Sequence, residues 1–305
     1  CIESEFNPSG SLTLGHCIKA GRSGKTYIIS TYCCHPSLAN DNLSGVVLSV
    51  LLFKWLMEMD TYHSYRLIVA PETIGVIAYL QKFENEMKEA EGGFVVTTVA
   101  GPGPIGYKNS FLNDHVVDRV ARRALRGIQY IEYPFKPDGS DERQYSSPGF
   151  RLPTGTITKD KYYEYQQYHT SHDNLDFISS ENLCQVLELY MEAIRGLEMN
   201  RFYRRTTPHC EYQLGKYGLY PGMGGAVSQP GFLGDKDHTS HDYSINQEEQ
   251  STGTQLDAMG WLMHLCDGSH SLLDIADQAC QELEDIYQAA RKMEESGLLK
   301  EAQFS

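Results

Sequence analysis

Two residues near the start of the chain, His35 and Asp41, are of the types that most readily bind a divalent metal. They share a polar loop that follows a β-branched segment and precedes a long apolar one. A neutral imidazole nitrogen and a carboxylate oxygen are preferred zinc ligands. An aspartate is also a frequent first residue of a helix, so the loop alone is explained equally well by a helix cap and an unrelated histidine.

Two further residues extend this set. Glu72 follows another apolar strand, and His169 opens a His-Thr-Ser-His-Asp segment. With His35 and Asp41, His169 completes two imidazoles and one carboxylate, a three-ligand set typical of catalytic zinc with one open position. Hydrolysis also needs a carboxylate outside the metal, which takes a proton from water and passes it to the leaving amine. We assign Glu72 this role, although each residue taken alone is more often structural.

Alternating strands and helices must bring these loops together. Through residue 200 the chain alternates between apolar strands and helices, which predicts an α/β three-layer sandwich around a mostly parallel mixed sheet. Ligands of such sheets bind at the carboxyl ends of the strands. The apolar helix at 42–60 is expected to be buried on most sides. The predicted strands are 11–18, 25–31, 65–70, 94–99, 129–133 and 152–158, and the other helices are 74–83, 112–127 and 180–200.

Composition excludes several classes of function. The 305 residues carry a formal net charge of −14, which argues against nucleic-acid and anionic-membrane binding because both need a basic face. No apolar run approaches the roughly 20 residues of a membrane span. The eight cysteines form no C-x-x-C pair and suit a reducing compartment. We therefore expect a cytoplasmic protein.

The last hundred residues differ in composition from the rest. Residues 206–254 are rich in Gly, Pro, Ser, Tyr and Gln and are expected to form a linker or an extended wrap. Three short helices and a strand then predict a winged-helix domain over 255–305. Its third helix, at 282–296, is acidic and would repel phosphates. We expect this domain to contact a protein partner or a second copy of the chain, and not nucleic acid.

Several segments resemble motifs of zinc aminopeptidases of the bacterial leucyl aminopeptidase type. More closely, the chain resembles a bacterial family of aminopeptidase-like zinc proteins with a C-terminal winged helix, often linked to surface-polysaccharide biosynthesis. The resemblance implies metal ligands at His35, Asp41 and His169, and the general base at Glu72. The matching segments are 34–45, 71–75, 139–145, 168–173 and 213–225.

The resemblance also implies roles for the loop at 136–149. Asp141 is expected beside the metal, where it can orient a ligand or move protons. Glu142, Arg143 and Tyr145 are expected to contact the substrate, for instance at a carboxylate or a developing oxyanion. His172 is close enough in sequence to compete with His169 as the third ligand, but the motif register favours His169.

Two departures from the aminopeptidase pattern bear on the number of metal ions. Thr73 replaces a glutamate ligand, and Thr97, Thr98 and Val99 occupy the region of a second aspartate ligand. The simplest remaining site is therefore one zinc ion.

The resemblance also divides the chain. Residues 1–24 resemble the exit of an inserted small β domain together with the first core strand, so that a preceding portion is expected. Residues 25–205 form the aminopeptidase-like catalytic domain, and the linker and the winged helix follow.

Three hypotheses for function remain open after this comparison. The first is a zinc hydrolase that acts on an amide of a peptide or small molecule, by aminopeptidase-like chemistry. The second is a related activity on amino-sugar or polysaccharide precursors. The third is a metal-bearing binding protein without turnover.

Overall fold

The computed structural model describes residues 3, 5, 7–220 and 247–302, and the side chains of 247–253 are not included. The chain divides into two compact units between Glu198 and Met199. This division precedes the expected one at residue 205, because strand Phe202–Arg205 pairs within the second unit. Most of the expected linker, and the end of the 213–225 motif, lie outside the described residues.

The first unit is built on a seven-stranded mixed sheet of order β1-β3-β2-β4-β7-β5-β6. Four of its six pairings are parallel, and the exceptions are β1 with β3 and β5 with β7. The predicted α/β class and mostly parallel sheet are therefore confirmed. The strands are β1 (Gly15–Lys19), β2 (Thr26–Tyr32), β3 (Ser64–Ala70), β4 (Ala90–Val95), β5 (Ile105–Lys108), β6 (Ile131–Tyr133) and β7 (Thr154–Lys159).

Helices connect these strands. A six-residue turn of π type, Ala39–Ser44, precedes the first of them and carries Asp41. The helices of this unit are α1 (Gly45–Glu58), α2 (Ile74–Lys82), α3 (Glu84–Lys88), α4 (Val116–Ala124), α5 (Glu142–Tyr145) and α6 (Ser180–Met199). Within the described ranges, every helix is too short or too polar to cross a lipid bilayer.

Several features differ from the sequence-based expectations, and three of them follow. Strand β5 was not predicted, because four residues next to a Gly-Pro turn give too little periodicity. Helix α5 forms inside the loop expected at 136–149. The expectation that α1 is buried on most sides is wrong, because Val47, Val50 and Met57 are 42–51% exposed on one side of the helix.

The second unit has the winged-helix architecture expected for the C-terminal residues. Its three-stranded antiparallel sheet has the order β10-β8-β9. Helix α8 begins with a reciprocal cap in which Ser271 and Asp274 bond to each other's backbone N–H groups. The elements are β8 (Phe202–Arg205), α7 (Gln247–Leu265), β9 (Asp267–Ser271), α8 (Leu272–Ala279), α9 (Leu283–Glu295) and β10 (Leu299–Glu301).

Candidate metal centre

The loop after β2 is held against the end of β4 by two asparagines on either side of Asp41. The Asn42 amide donates to the carbonyl of Val96 at 3.2 Å, and the Asn40 side-chain oxygen accepts the Ala100 N–H at 3.0 Å. The following Gly45 approaches so closely that a Cβ there would lie 2.2 Å from the Asn42 side-chain oxygen. These contacts explain the residue types around Asp41, since each amide satisfies a backbone group of the segment that follows β4.

Asp41 lies at the centre of this turn and is completely buried. Its backbone angles are not helical, and its peptide bond to Asn42 is cis. The hydroxyl of Tyr32 donates to Oδ1 at 2.5 Å and contacts Thr97 Oγ1 at 2.7 Å. Oδ2 accepts no hydrogen bond from the described residues and lies 3.1 Å from His169 Nε2. Asp41 therefore does not cap α1, and one buried carboxylate oxygen is free to bind a cation.

His35 and His169 both lie close to the Asp41 carboxylate. Their ring centroids are 4.9 Å apart, and one ligand atom each of His35, Asp41 and His169 lies within 4.8 Å of the other two. The ring of Tyr168 stacks on that of His169 at 3.9 Å and fixes its plane. A buried anionic oxygen without a hydrogen bond, beside two imidazoles, fits the ligand chemistry of zinc.

The loop that carries His169 is tied to the Asp41 turn by Asp173. The buried Asp173 carboxylate accepts the backbone N–H groups of Asn40 at 2.6 Å and of Asp41 at 3.0 Å. The hydroxyl of Tyr165 also donates to it at 3.3 Å. Three donors satisfy this buried charge, so Asp173 acts as a clamp between two loops that are distant in sequence.

Glu72 precedes a strained turn at the end of β3. Thr73 has φ 60° and ψ −71°, and the N–H of Ile74 donates to the Glu72 carbonyl at 2.7 Å. This is the rare form of γ-turn, and positive φ is unfavourable for a β-branched residue. The Thr73 N–H donates to Asp141 Oδ1 at 2.7 Å, and Arg143 donates to the Thr73 hydroxyl at 3.1 Å. The surrounding contacts thus hold the turn that aims Glu72.

Glu72 points toward His35. Its Oε2 is 3.9 Å from His35 Nε2, and its side chain is 26% exposed. The pKa of Glu72 is raised above its ordinary value, because burial outweighs the opposing effects, among them that of the facing His35. Burial also raises the pKa of Asp141 to about 8, with Glu72 and Glu142 adding to the rise. Asp141 is completely buried, so it holds the Glu72 turn by accepting the hydrogen bond from the Thr73 N–H.

The expected substrate contacts in α5 separate into buried and accessible residues. Tyr145 is completely buried in the apolar core, and its hydroxyl contacts Ser30 Oγ at 2.8 Å. Glu142 is also buried, where it pairs with Lys108 at 3.6 Å and accepts from Thr156 at 2.9 Å. The structure places both side chains out of reach of a ligand, because α5 turns one side into the core. Arg143 remains half-buried beside the Glu72 turn.

The remaining motif residues also have definite places. The hydroxyls of Thr97 and Thr98 are engaged by Tyr32 and Thr158. His172 is exposed and is absent from the groups of described side chains that could hold a metal. His169 is the histidine that the fold brings to Asp41.

Sequence reasoning missed the supporting roles of Tyr32 and Asp173. Tyr32 ends β2, so its position at a carboxyl strand end was a usable signal. Asp173 was noted only as a residue of the 168–173 motif. Nothing along the chain indicated which backbone N–H groups would donate to its carboxylate.

A cavity of about 370 Å³ adjoins the metal centre on the side of His35. Its wall includes four aliphatic side chains of the Asp41 loop, of α1 and of the segment after Asp173: Leu38, Leu43, Val46 and Leu175. This size and lining are typical of a pocket for a small apolar group.

Comparisons with known proteins agree with this architecture. A family model described as a domain of unknown function (DUF4910) matches residues 6–200, and one described as a winged helix-turn-helix matches residues 243–301. A Clostridium acetobutylicum protein, whose name links it to polysaccharide biosynthesis and to an aminopeptidase-like domain, is 38% identical over 293 residues. The match covers 95% of this chain and 62% of that protein, so the chain spans less than two thirds of the relative.

Solved structures show the same fold. A crystal structure of a protein named as a peptidase, from Clostridium acetobutylicum, matches with a TM-score of 0.77 and 35% identity, covering 95% of this chain and 60% of that one. A zinc aminopeptidase from Bacillus subtilis matches with a TM-score of 0.52 and 20% identity, covering 60% of this chain and 49% of that one. The second likeness shows an aminopeptidase-like fold.

Proposed function

The chain belongs to the family of the domain of unknown function DUF4910, and from that premise we propose that it is a zinc-dependent amide hydrolase with aminopeptidase-like chemistry. One observation carries the proposal. The buried Asp41 Oδ2 has no hydrogen bond from the described residues, and two imidazoles share its surroundings. Asp141 Oδ2 also lacks a hydrogen bond, but Asp41 is the aspartate that lies beside two imidazoles, and this combination indicates a ligand.

The proposed site holds one zinc ion on His35, Asp41 and His169. Zinc bound there would supply Lewis-acid polarisation of a substrate carbonyl and an acidified water. The single-ion proposal is supported by Thr73, Thr97 and Thr98, whose hydroxyls are poor ligands for a second ion and are engaged in hydrogen bonds.

Each remaining side chain has a defined task in this proposal. Glu72 takes the proton of the attacking water and delivers it to the leaving amine, which requires a carboxylate that is not a ligand of that zinc ion. Asp141 holds the turn that positions Glu72. Arg143, half-buried beside the Glu72 turn, stabilises negative charge on the substrate. The aliphatic cavity beside His35 favours amide substrates with an apolar group.

The test combines metal content with hydrolysis of a panel of aminoacyl amides. We expect about one zinc per chain, and Glu72→Gln should keep that zinc while kcat/KM falls by roughly 10²–10⁴-fold. Glu89→Gln, a matched change at an exposed glutamate, should leave both quantities unchanged. His35→Ala should remove the zinc, and Asp41→Ala should weaken zinc binding and abolish hydrolysis. Full activity in Glu72→Gln, or stoichiometric zinc in His35→Ala, would overturn the proposal.

A second candidate is hydrolysis of an amide on an amino sugar. It is supported by the name of the Clostridium relative and by aromatic rings beside His169. Tyr163 is 66% exposed, and its ring contacts the ring of Tyr168 edge-on at 5.1 Å. Aromatic faces of this kind can stack on sugar rings. Including N-acylated sugars in the substrate panel separates the two, and bound zinc without turnover on either class would indicate a binding protein instead.

A further inference from the structure

A second group of potential ligands lies next to the proposed zinc site and includes a thiol. Cys34 Sγ lies 3.4 Å from His35 Nδ1, and His35 Nε2 lies 3.9 Å from Glu72 Oε2. One ligand atom each of Cys34, His35 and Glu72 lies within 4.8 Å of the other two. Sulfur, imidazole nitrogen and carboxylate oxygen are each zinc ligands in proteins.

The fold holds these residues together through the backbone. Cys34 follows β2 and Glu72 follows β3, and these strands are parallel neighbours in the sheet. The Glu72 N–H contacts Cys34 Sγ at 3.3 Å, which fixes the two loops against each other. The thiol is exposed, and His35 and Glu72 are 18% and 26% exposed, so a cation from solvent can reach all three.

We propose that Cys34, His35 and Glu72 form a second, thiolate-containing position for a soft divalent cation such as Zn²⁺. Binding there releases the Cys34 thiol proton to solvent, because the thiolate is the ligand form of cysteine. The position shares His35 with the site on Asp41 and His169. It also takes Glu72 as a ligand.

The shared residues couple this position to catalysis. A cation bound to Glu72 withdraws the carboxylate that serves as general base, so occupancy inhibits hydrolysis at high metal concentration. This consequence rests on the proposed function, whereas the existence of the thiolate position does not.

Cobalt(II) titration of the metal-free protein tests the position by absorption, without any measurement of activity. A cobalt–thiolate bond gives a charge-transfer band in the near ultraviolet, whereas nitrogen and oxygen ligands give only visible bands. We expect the near-ultraviolet band in the wild-type protein. We also expect Cys34→Ser and Cys34→Ala to lose it, with an affinity loss beyond the roughly 10–100-fold typical of an outer-sphere partner. Cys33→Ser, which changes the neighbouring exposed cysteine, should keep it.

The outcomes separate this proposal from the function proposed above. Asp41→Ala should keep the near-ultraviolet band and bind one cobalt ion fewer, since cobalt at the thiolate position has visible bands of its own. The proposal is overturned by absence of the band in the wild-type protein, by its persistence in both Cys34 variants, or by its loss in Cys33→Ser. Binding of the same number of cobalt ions by Asp41→Ala and by the wild-type protein would speak against the site on Asp41 and His169 only.

Discussion

Replacing Asp173 by asparagine tests whether the clamp between the two loops organises the metal centre. The buried carboxylate accepts the backbone N–H groups of Asn40 and Asp41, and Asp41 is a proposed ligand. Asparagine has nearly the same shape but presents an amide donor in place of one acceptor oxygen. One buried N–H group then faces a donor and loses its partner.

The magnitude follows from the hydrogen bonds involved. A hydrogen bond to a charged group contributes about 1.5–3 kcal/mol, and an unsatisfied buried donor costs about 1–3 kcal/mol. Because the amide oxygen of the introduced asparagine can still accept one N–H, we expect Asp173→Asn to lower the free energy of unfolding by about 2–4 kcal/mol. Displacement of Asp41 relative to His169 should weaken zinc binding by roughly 10–100-fold.

Two measurements check this expectation. Urea unfolding of the metal-free protein gives the free energy of unfolding, and competition with a chelator gives the zinc affinity. Asp176→Asn is the matched control, because it makes the same change at an exposed position of the same loop. If Asp173→Asn binds zinc as tightly as the control and unfolds at the same urea concentration, the clamp has no role in forming the centre.

Two further predictions concern the residues of α5 and the turn before it. Asp141→Asn should flatten the pH dependence of unfolding of the metal-free protein. Burial raises the pKa of Asp141 to about 8 from an ordinary 3.8. The stability that the protonated carboxyl gives the folded state is therefore complete below pH 3.8 and is lost as the pH rises through 8. Unfolding free energies of wild type and variant that run parallel across this range would contradict that burial effect. Tyr145→Phe should lose the contact with Ser30 and about 1 kcal/mol of stability, with KM for amide substrates unchanged; a tenfold rise in KM would show that the phenol reaches the substrate after all.

The sequence indicated the main elements and most of the proposed ligands. Alternating apolar segments predicted the α/β unit, because period and length of an apolar run are local properties of the chain. The winged helix was predicted for the same reason. His35, Asp41 and His169 were found because metal chemistry restricts ligands to a few residue types, and the motif register then chose His169 over His172.

The tertiary structure decided what surrounds those residues. Tyr32 reaches Asp41 because both lie at one end of the sheet, and Asp173 reaches the Asp41 backbone across 132 residues of sequence. Contacts of this kind depend on strand order and side-chain direction, which no local pattern encodes.

The tertiary structure also decided which side chains are buried. Tyr145 was predicted to contact substrate from its place in a motif, yet the path of α5 directs it into the core. Helix α1 was predicted to be buried from its apolar composition, yet one side stays exposed, because composition does not state which neighbours a helix meets. The sequence by itself therefore determined which residue types are available for the proposed chemistry, and the packing of distant segments determined which of them lie together at the candidate site.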